Sequence, residues 1–338
     1  MIRQDEAATL SGRLYDVAMK TRTLGVVMDP IASIRPYKDT TLLLMLAAQK
    51  RGWKLAYLEM PDLHLRDGVA LGRVRGVTVH DDTKHWFDWT GESSIEKLGT
   101  LDAILMRKDP PFDLQYIAAT YILERAEGQG ALVLNKPQSL RDCNEKAYIA
   151  WFPQCTAPTL IARDAAPLRA FHAEQGDIVL KPLDGMGGTG VFHIGRDGRN
   201  LGAVIETLTD NGHRFIMAQR YLPEIVDGDK RILMVDGEPI PYALARVPMA
   251  GETRGNLAAG GTGRPQPLSE RDRWIAAQVG PELKRRGLTF VGLDVIGDYL
   301  TEINVTSPTC AREIEAKYPV DIGGALIDAI DRALAART

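Results

Sequence analysis

The most informative segment of the sequence reads Ile178-Val-Leu-Lys-Pro-Leu-Asp-Gly-Met-Gly-Gly-Thr-Gly-Val-Phe-His-Ile194. Its glycines at 185, 187 and 190 satisfy the pattern G-x-G-x-x-G, which in dinucleotide-binding folds joins a strand to a helix. Here the loop is followed by a second short apolar run, Val191 to Ile194, which is typical of a strand. The segment therefore predicts a glycine-rich β-hairpin and not a Rossmann turn.

This glycine-rich loop is a candidate phosphate site. Glycines allow backbone N–H groups to approach an anion closely, so Gly185, Gly187 and Gly188 are predicted to contact phosphate. Lys181 ends the preceding strand, where its ammonium suits a point-charge contact to phosphate oxygens. From this segment alone, a plain glycine turn and a surface lysine are the alternatives.

A second segment, Phe290-Val-Gly-Leu-Asp-Val-Ile-Gly-Asp-Tyr-Leu-Thr-Glu-Ile-Asn304, predicts a hairpin that carries metal ligands. Side chains two apart in a strand share a face, so Glu302 and Asn304 point the same way. A turn at Gly297-Asp298 brings Asp294 of the partner strand close to them. Two carboxylates and an amide oxygen suit Mg²⁺. The alternative is a solvated hairpin face.

Further polar positions give more general indications. The apolar segment 217–222, with Gln219 and Tyr221 as polar interruptions, is typical of a hinge beside a purine ring or of a core strand. Arg231 lies at the start of a predicted strand and Arg246 ends its partner. These cations either face an anionic substrate or are exposed charges at strand ends.

The first 135 residues alternate between strands and helices, which predicts a parallel sheet with ligands at the carboxyl ends of its strands. The predicted strands cover residues 23–28, 54–60, 101–106 and 131–134, and the predicted helices cover 40–50 and 113–127. After Pro137 the pattern changes, and Ser139 is predicted to cap a helix over 144–152. Antiparallel hairpins are predicted to pair 177–181 with 191–194, 231–235 with 240–245 through an Asp236-Gly237 turn, and 290–296 with 300–305.

Three other segments complete the prediction. Residues 248–267 are rich in glycine and alanine, lack apolar periodicity, and are predicted to form a mobile loop that closes over a ligand, with a passive linker between two hairpins as the alternative. Helices are predicted over 270–286 and from Ile322 onward. An amphipathic helix is predicted near the start of the chain, through Leu10, Leu14, Val17 and Ala18.

Composition and charge exclude several classes of protein. The 41 Lys and Arg residues nearly balance 44 Asp and Glu residues, giving a net charge of −3 with no block of like charges. No nucleic-acid partner is therefore expected. The longest apolar run, Leu42 to Ala48, is far shorter than the about 20 residues of a membrane helix, so no membrane partner is expected. The first 22 residues lack a secretory signal, and the three cysteines lack C-x-x-C spacing, which favours the cytoplasm.

Catalysis by a protein nucleophile is not predicted. The sequence lacks a G-x-S-x-G nucleophile elbow, and no cysteine lies in a recognisably electropositive context. His80 and His85 lack a metal-ligand spacing. A hydrolytic triad and a histidine metal centre are therefore not expected.

Several longer strings carry a resemblance to a known family. A glycine loop after Lys-Pro, an aspartate on one strand and Glu-x-Asn on the next form the pattern of the ATP-grasp superfamily. Within it, the sequence resembles bacterial glutathione synthetases from about Leu24 to the C-terminus. The strings that carry this resemblance are Val27-Met-Asp-Pro-Ile31, Met106-Arg-Lys-Asp-Pro-Pro-Phe-Asp113, Asn135-Lys-Pro-Gln-Ser-Leu-Arg-Asp-Cys-Asn-Glu-Lys146, Leu180-Lys-Pro-Leu-Asp-Gly-Met-Gly-Gly188, Glu252-Thr-Arg-Gly-Asn-Leu-Ala-Ala-Gly-Gly261 and Thr301-Glu-Ile-Asn-Val-Thr-Ser-Pro-Thr-Cys310.

The resemblance implies an α/β chain with an ATP-grasp fold, in which an N-terminal parallel-sheet domain precedes two α+β subdomains that enclose the nucleotide. The implied extents are 1–22 for an N-terminal extension, 23–138 for the N-terminal substrate domain, 139–219 for the central lid subdomain with the glycine-rich loop, and 220–338 for the C-terminal subdomain with the metal site and the flexible loop. A homo-oligomer, specifically a tetramer, is implied as well.

The implied reaction is the ATP-dependent ligation of γ-glutamylcysteine to glycine through an acyl phosphate, with Mg²⁺, or Mn²⁺ in its place, as the metal. The implied nucleotide contacts are Lys136 and Lys181 for phosphate, Gln219, Tyr221 and Leu222 for adenine, and Asp229. The implied metal ligands are Asp294, Glu302 and Asn304. Arg231, Arg246, Arg254 and Asn256 surround the reacting groups, while Lys38 and Arg107 bind the outer carboxylates of the peptide.

Other functions are compatible with the same residues. Another carboxylate–amine ligase would use the same fold with a different acceptor. A nicotinamide oxidoreductase would use the G-x-G-x-x-G loop, and a silent nucleotide-binding module would use the same pocket without turnover. Release of ADP that requires both γ-glutamylcysteine and glycine distinguishes the first function from all of these.

Overall fold

The computed structural model describes residues 21–249, 251, 255 and 260–337. The helix predicted through residues 10–18, and the candidate residues Arg254 and Asn256, lie outside this part. Within it, the strands form three sheets. None of the described helices is long and apolar enough to cross a membrane.

The first sheet combines a parallel centre with an antiparallel edge, in the order β3-β4-β2-β1-β7-β8, with β5 and β6 also paired to β4. Its elements are β1 (Thr23–Val27), α1 (Thr40–Lys50), β2 (Lys54–Leu58), β3 (Leu63–Arg66), β4 (Val69–Val79), β5 (Phe87–Trp89), β6 (Ser94–Lys97), β7 (Ala103–Met106), α2 (Leu114–Glu127) and β8 (Leu132–Leu134). The pairs β1–β2, β1–β7 and β7–β8 are parallel, as predicted. Asp39 and Asp113 cap α1 and α2 by accepting hydrogen bonds from first-turn N–H groups.

The antiparallel strands β3 to β6 were not predicted, so the interpretation of this region as purely alternating strands and helices was incomplete. Asp67 and Gly68 connect β3 to β4 with φ values of 50° and 76°. Positive φ at both positions is the geometry of a type I′ hairpin turn, for which Asp-Gly is a favoured dipeptide. That dipeptide was the signal available in the sequence.

The second sheet is antiparallel, in the order β11-β10-β12-β9. Its elements, with the helices around them, are α3 (Pro137–Asp142), β9 (Thr159–Ala162), α4 (Ala165–Gln175), β10 (Ile178–Pro182), β11 (Phe192–Ile194), α5 (Leu201–Thr209) and β12 (Ile216–Arg220). The predicted hairpin is confirmed, because Leu180 pairs with Phe192 across the glycine-rich loop. Helices α4 and α5 bury Leu168 and Ile205 against one face of this sheet.

The predicted helix start at Ser139 is wrong. Ser139 lies inside α3, and its hydroxyl donates to the carbonyl of Arg286 at 2.6 Å. Pro137 opens this helix, which is a favoured position for proline because its missing N–H is not needed there. The helix predicted over 144–152 is a shorter 3₁₀ helix over Ala147–Trp151, and Asn144 lies before it, where its side-chain oxygen accepts from the N–H groups of Lys146 and Ala147.

The third sheet is antiparallel, in the order β15-β14-β13-β16-β17. Its strands are β13 (Asp229–Val235), β14 (Glu238–Val247), β15 (Thr262–Pro267), β16 (Phe290–Ile296) and β17 (Tyr299–Asn304), and its helices are α6 (Glu270–Arg285), α7 (Ala311–Glu315) and α8 (Ile322–Ala335). Both predicted hairpins of this region are confirmed. Helix α8 packs on α1, where Gly323 lies against Leu43, and so joins the third sheet's helices to the first sheet.

The predicted loop 248–267 is shorter than expected, because its last six residues form the edge strand β15. Pro265 and Pro267 are tolerated there since an edge strand leaves part of its backbone unpaired. Most of its side chains are exposed, which explains why the sequence shows no apolar alternation in this segment.

Candidate active site

A cavity of about 640 Å³ lies where the three sheets meet. One wall comes from the segments after β1 and β7, which are the carboxyl ends of parallel strands. The other walls come from β10, β12 and the strands β13, β14, β16 and β17. The predicted site residues that line it are Lys38, Arg107, Lys181, Gly185, Gly187, Gly188, Gln219, Tyr221, Leu222, Asp229, Arg231, Arg246, Asp294, Glu302 and Asn304.

The glycine-rich loop forms the cavity edge between β10 and β11. Gly187 and Gly188 have φ values of 65° and 78°, which side-chain-bearing residues adopt rarely. At Gly185, a Cβ atom would lie 2.8 Å from Pro182 Cγ and 3.0 Å from the carbonyl oxygen of Thr189. The loop therefore requires glycine at these positions, and all three glycines line the cavity.

Two buried lysines converge beside this loop. Lys181 Nζ lies 3.9 Å and Lys146 Nζ lies 3.6 Å from Glu302 Oε1. Lys146 Nζ also donates a hydrogen bond to the carbonyl of Gly185. Burial lowers the pKa of Lys181, although the nearby Glu302 carboxylate works in the opposite direction. An anionic ligand in the cavity would stabilise both ammonium groups.

The structure does not bring Lys136 to this cavity. Lys136 is exposed at the start of α3, where its aliphatic stem packs against Gly287. Lys146 lies instead beside the glycine-rich loop and Glu302, where the phosphate contact predicted for Lys136 would have to be made. Both lysines belong to the same quoted string, and only the packing of the segment after α3 distinguishes them. We therefore replace Lys136 by Lys146 as the candidate phosphate contact.

The predicted metal ligands lie together on the hairpin of β16 and β17. Asp294 pairs directly with Glu302, and Gly292 pairs with Asn304. Glu302 and Asn304 are partly exposed to the cavity, whereas Asp294 is buried. The three side chains thus share one face of the hairpin, in the arrangement that strand alternation predicts.

Asp294 is also the centre of a buried ion-pair network. Arg231 donates to its two carboxylate oxygens, from Nε at 2.5 Å and from Nη2 at 3.1 Å. Arg246 Nη2 approaches it at 2.8 Å. Burial alone would raise the pKa of Asp294, but the fields and hydrogen bonds of the two arginines hold it well below its usual range. Asp294 is therefore ionised and oriented before any ligand binds.

Asp229 shares Arg246 with Asp294. Its Oδ2 atom lies 2.5 Å from Arg246 Nη2, while its Oδ1 atom is buried without a hydrogen-bond partner among the described residues. Burial and the repulsion of Asp294 raise the pKa of Asp229 to about 6, despite the opposing field of Arg246. A buried, unsatisfied carboxylate oxygen in a cavity wall is costly, which points to a ligand contact at this atom.

One end of the cavity is largely apolar. Leu222 and Gln219 are buried at the end of β12, and the side-chain nitrogen of Gln219 donates to Thr159 Oγ1 at 3.0 Å. The rings of His193 and Tyr221 stack with their centroids 4.0 Å apart. Val179, Val191, Ile225 and Ile296 complete this end. Such a slot suits a flat heteroaromatic ring.

The opposite end is built around the N-terminus of α1 and carries groups of both charges. The buried Arg107 donates to Thr41 Oγ1 at 3.1 Å and to the carbonyl of Pro308 at 2.9 Å. Glu313 Oε2 is buried without a hydrogen-bond partner in the described part of the chain. Burial raises the pKa of Glu313, partly offset by the field of Lys38. This end is therefore suited to a zwitterionic ligand.

Sequence reasoning missed Lys146, His193 and Glu313 as cavity residues, and also Glu145, which orients the cavity wall. Glu145 Oε1 accepts hydrogen bonds from the N–H groups of Val305 and Thr306 and from the hydroxyl of Thr306. It thereby fixes the chain just after β17, the strand that carries two of the predicted metal ligands. Its position beside Lys146 in the quoted string was the available signal, whereas Glu313 had no local signal.

Comparison with known proteins agrees with this geometry. The family model for the N-terminal domain of prokaryotic glutathione synthetase matches residues 23–141, and the model for its ATP-grasp domain matches residues 145–319. A glutathione synthetase of Pseudomonas putida is 61% identical over 314 residues, which are 93% of this chain and 99% of the relative. A glutathione synthetase of Pseudomonas aeruginosa is 62% identical, again over 93% of this chain and 99% of the relative.

Solved structures of more distant proteins share the fold. D-cycloserine synthetase DcsG superposes with a TM-score of 0.65 at 18% identity, over 92% of this chain and 99% of that one. The ATP-grasp ligase PsnB superposes with a TM-score of 0.60 at 17% identity, over 93% and 98%. At such identities these likenesses establish the fold alone. The chain therefore belongs to the prokaryotic glutathione synthetase family, and it is an ATP-dependent enzyme of the ligase class with the ATP-grasp fold.

Proposed function

We propose that this enzyme joins γ-glutamylcysteine to glycine while ATP is converted to ADP and phosphate, and so produces glutathione. The observation that carries the proposal is the composition of one cavity, in which a glycine-rich loop and two buried lysines face the Asp294–Glu302–Asn304 hairpin. Identities of 61% and 62% to curated glutathione synthetases favour this reaction over ligation to a different acceptor.

In the proposed reaction, the cysteinyl carboxylate attacks the γ-phosphorus of ATP, and the bond to the leaving ADP oxygen breaks. The resulting acyl phosphate is attacked by the amine of glycine, which loses a proton as inorganic phosphate leaves. Neither step needs a nucleophile from the protein. The chain's task is therefore to position the reactants, stabilise negative charge and exclude water.

The cations of the cavity are suited to that task. Lys146 and Lys181 would neutralise phosphate oxygens beside the glycine-rich loop, and their burial strengthens such contacts. Arg231 and Arg246 each have N–H donors beyond those given to Asp294, and these would stabilise the reacting carboxylate and the transferred phosphoryl group. From the sequence, Arg254 and Asn256 remain candidates for the same role.

The hairpin residues fit a hard divalent cation. Asp294, Glu302 and Asn304 supply two carboxylates and an amide on one face, which is the donor set that Mg²⁺ or Mn²⁺ prefers. When bound, the ion would neutralise charge on the transferring phosphoryl group. Arg231 and Arg246 would keep Asp294 ionised and fixed in orientation.

The two ends of the cavity would receive the organic parts of the substrates. The apolar slot of Gln219, Tyr221 and Leu222 would hold adenine, with the unsatisfied oxygen of Asp229 nearby. At the other end, Arg107 and Lys38 would bind the outer carboxylates of the peptide. The unsatisfied oxygen of Glu313 would accept hydrogen bonds from a substrate ammonium group.

We also propose a homotetrameric enzyme, since the family resemblance implies it, and a cytoplasmic location, which the spacing of the three cysteines favours. The function is tested by measuring ADP release with each substrate omitted in turn, and by measuring glutathione itself. ADP release that requires both γ-glutamylcysteine and glycine, with one glutathione per ADP, supports the proposal. Equal turnover with another amine acceptor in place of glycine would contradict it.

A further inference from the structure

A second cluster of chemically active side chains lies outside the cavity, on the hairpin of β4 and β5. His80 directly follows β4, His85 lies in the connection, and Asp88 lies in β5. Their spacing in the sequence matches no metal motif, so the sequence does not predict a metal site here. The hairpin nevertheless brings the three side chains together.

The geometry of this cluster is convergent. His80 Nε2 lies 2.9 Å and His85 Nε2 lies 3.0 Å from the same oxygen, Asp88 Oδ2. The two imidazole rings stack with centroids 5.5 Å apart and an angle of 23° between their planes. One ligand atom from each residue lies within 4.8 Å of the other two. Once an ion displaces the protons shared in these hydrogen bonds, the two imidazole nitrogens and the carboxylate oxygen can bind it together.

The backbone of the hairpin holds the three residues in place. Thr78 pairs with Asp88 in the β4–β5 ladder. The N–H of His80 donates to the carbonyl of Trp86 at 2.9 Å. Within the connection, Asp82 Oδ1 accepts from the N–H of Lys84 at 2.6 Å and of His85 at 3.2 Å. The connection is thus a turn that its own hydrogen bonds close.

The donor set indicates the class of ligand. Two imidazole nitrogens and one carboxylate oxygen form a borderline set that favours Zn²⁺, Co²⁺, Ni²⁺ or Cu²⁺ over Mg²⁺. Bonds of about 2.1 Å in a tetrahedral site separate ligand atoms by roughly 3.4 Å, so Asp88 Oδ2 would move by a few tenths of an ångström. The side chains are 40%, 64% and 56% exposed for His80, His85 and Asp88, which leaves room for water ligands.

We propose that His80, His85 and Asp88 bind one divalent transition-metal ion of the zinc type, at a site separate from the catalytic cavity. The same hairpin braces the wall of that cavity. Trp86 Nε1 donates to the carbonyl of Ile31 at 2.8 Å, and Asp81 pairs at 2.7 Å with Arg312, which donates to the carbonyl of Asp39. An ion bound here would stiffen this support.

Calorimetric titration of the full chain with Zn²⁺, in the presence of excess Mg²⁺ and ADP, tests the site directly. We expect one Zn²⁺ per chain in the parent. Each of His80→Gln, His85→Gln and Asp88→Asn should weaken binding at least about tenfold, since each removes one of three protein ligands. His213→Gln is the matched control, because it removes an exposed histidine elsewhere in the chain and should leave binding unchanged.

Two further measurements distinguish metal coordination by these side chains from a purely structural effect of the substitutions. Co²⁺ should give visible absorption in the parent that is lost in His85→Gln, while both proteins keep the same circular dichroism spectrum. Zn²⁺ should also slow tryptic cleavage after the exposed Lys84 by severalfold in the parent and not in His80→Gln. Absence of stoichiometric binding, or binding that persists in a His80→Gln/His85→Gln double variant, would overturn the proposal.

Discussion

The paired variants Asp294→Asn and Glu302→Gln distinguish the chemistry of the hairpin from its contribution to stability. Both substitutions keep side-chain shape and remove one negative charge from the proposed metal site, so both should reduce turnover by orders of magnitude. Their surroundings differ, however. Asp294 is bound by two arginines at hydrogen-bond distance, whereas Glu302 lies 3.6 and 3.9 Å from two lysines. We therefore expect different effects on the free energy of unfolding.

The magnitude follows from the contacts of each residue. In Asp294→Asn, Arg231 loses a carboxylate held by two hydrogen bonds and meets an amide N–H₂ group, while Arg246 keeps Asp229. Breaking one partner of a buried ion pair costs about 3 to 5 kcal/mol, and the retained Asp229 contact favours the lower end, about 3 kcal/mol. In Glu302→Gln, the longer distances, the 24% exposure of the Glu302 side chain and the backbone carbonyls that both lysines keep as hydrogen-bond partners predict a smaller loss, about 1 to 2 kcal/mol.

Urea denaturation of the ligand-free proteins, followed by fluorescence and circular dichroism together, measures both values. A free aspartate has a pKa of about 3.9, and the pKa of Asp294 in the folded protein lies below that value. Its stabilisation is therefore fully present above about pH 5 and is lost as the pH falls toward the folded-state pKa. The difference in the free energy of unfolding between the parent and Asp294→Asn should therefore shrink below about pH 4. Equal stability of the two variants at neutral pH would refute this reasoning.

Three further predictions follow from the cavity. Lys146→Met should weaken ATP binding about 10- to 100-fold in calorimetry, because a charge-assisted contact is lost. Lys136→Met alters an exposed lysine and should bind ATP like the parent. Because the pKa of Asp229 is raised in the folded protein, the parent should lose stability relative to Asp229→Asn as the pH rises from about 4 through about 6. A difference between their urea midpoints that does not change with pH would contradict this. Replacing Glu252–Gly261 by a Gly-Ser linker should raise the ratio of ADP released to glutathione formed above one, because an open site exposes the acyl phosphate to water. An unchanged ratio would show that this loop has no part in the mechanism.

The last of these predictions rests on the sequence and on one structural contact. Gly255 is buried, lines the cavity, and lies so close to the carbonyl of Arg246 that a Cβ atom there would overlap with it. Gly255 therefore lies against Arg246, one of the arginines that are proposed to act on the reacting groups. Gly255 itself is the position at which this approach demands glycine.

The sequence by itself determined the features that depend on local physics. Period-two alternation and the turn at Gly297-Asp298 predicted that Asp294 lies close to Glu302 on the partner strand, and the structure pairs the two residues directly. The helices predicted over 40–50 and 113–127 also begin within one residue of the observed starts of α1 and α2, because a helix start depends on hydrogen bonds within one turn. The long strings from Val27 to Cys310 identified the family, which the family models confirm.

Only the tertiary structure decided which distant side chains meet. Nothing local distinguishes Lys146 from Lys136, since the choice depends on how the segment after α3 packs against the glycine-rich loop. The pairing of Asp294 with two arginines, and the buried carboxylate of Glu313, also arise from contacts between separate strands and helices. The convergence of His80, His85 and Asp88 depends on a hairpin register that spacing did not reveal. Local propensities fix the elements, whereas long-range packing fixes the charges that face one another.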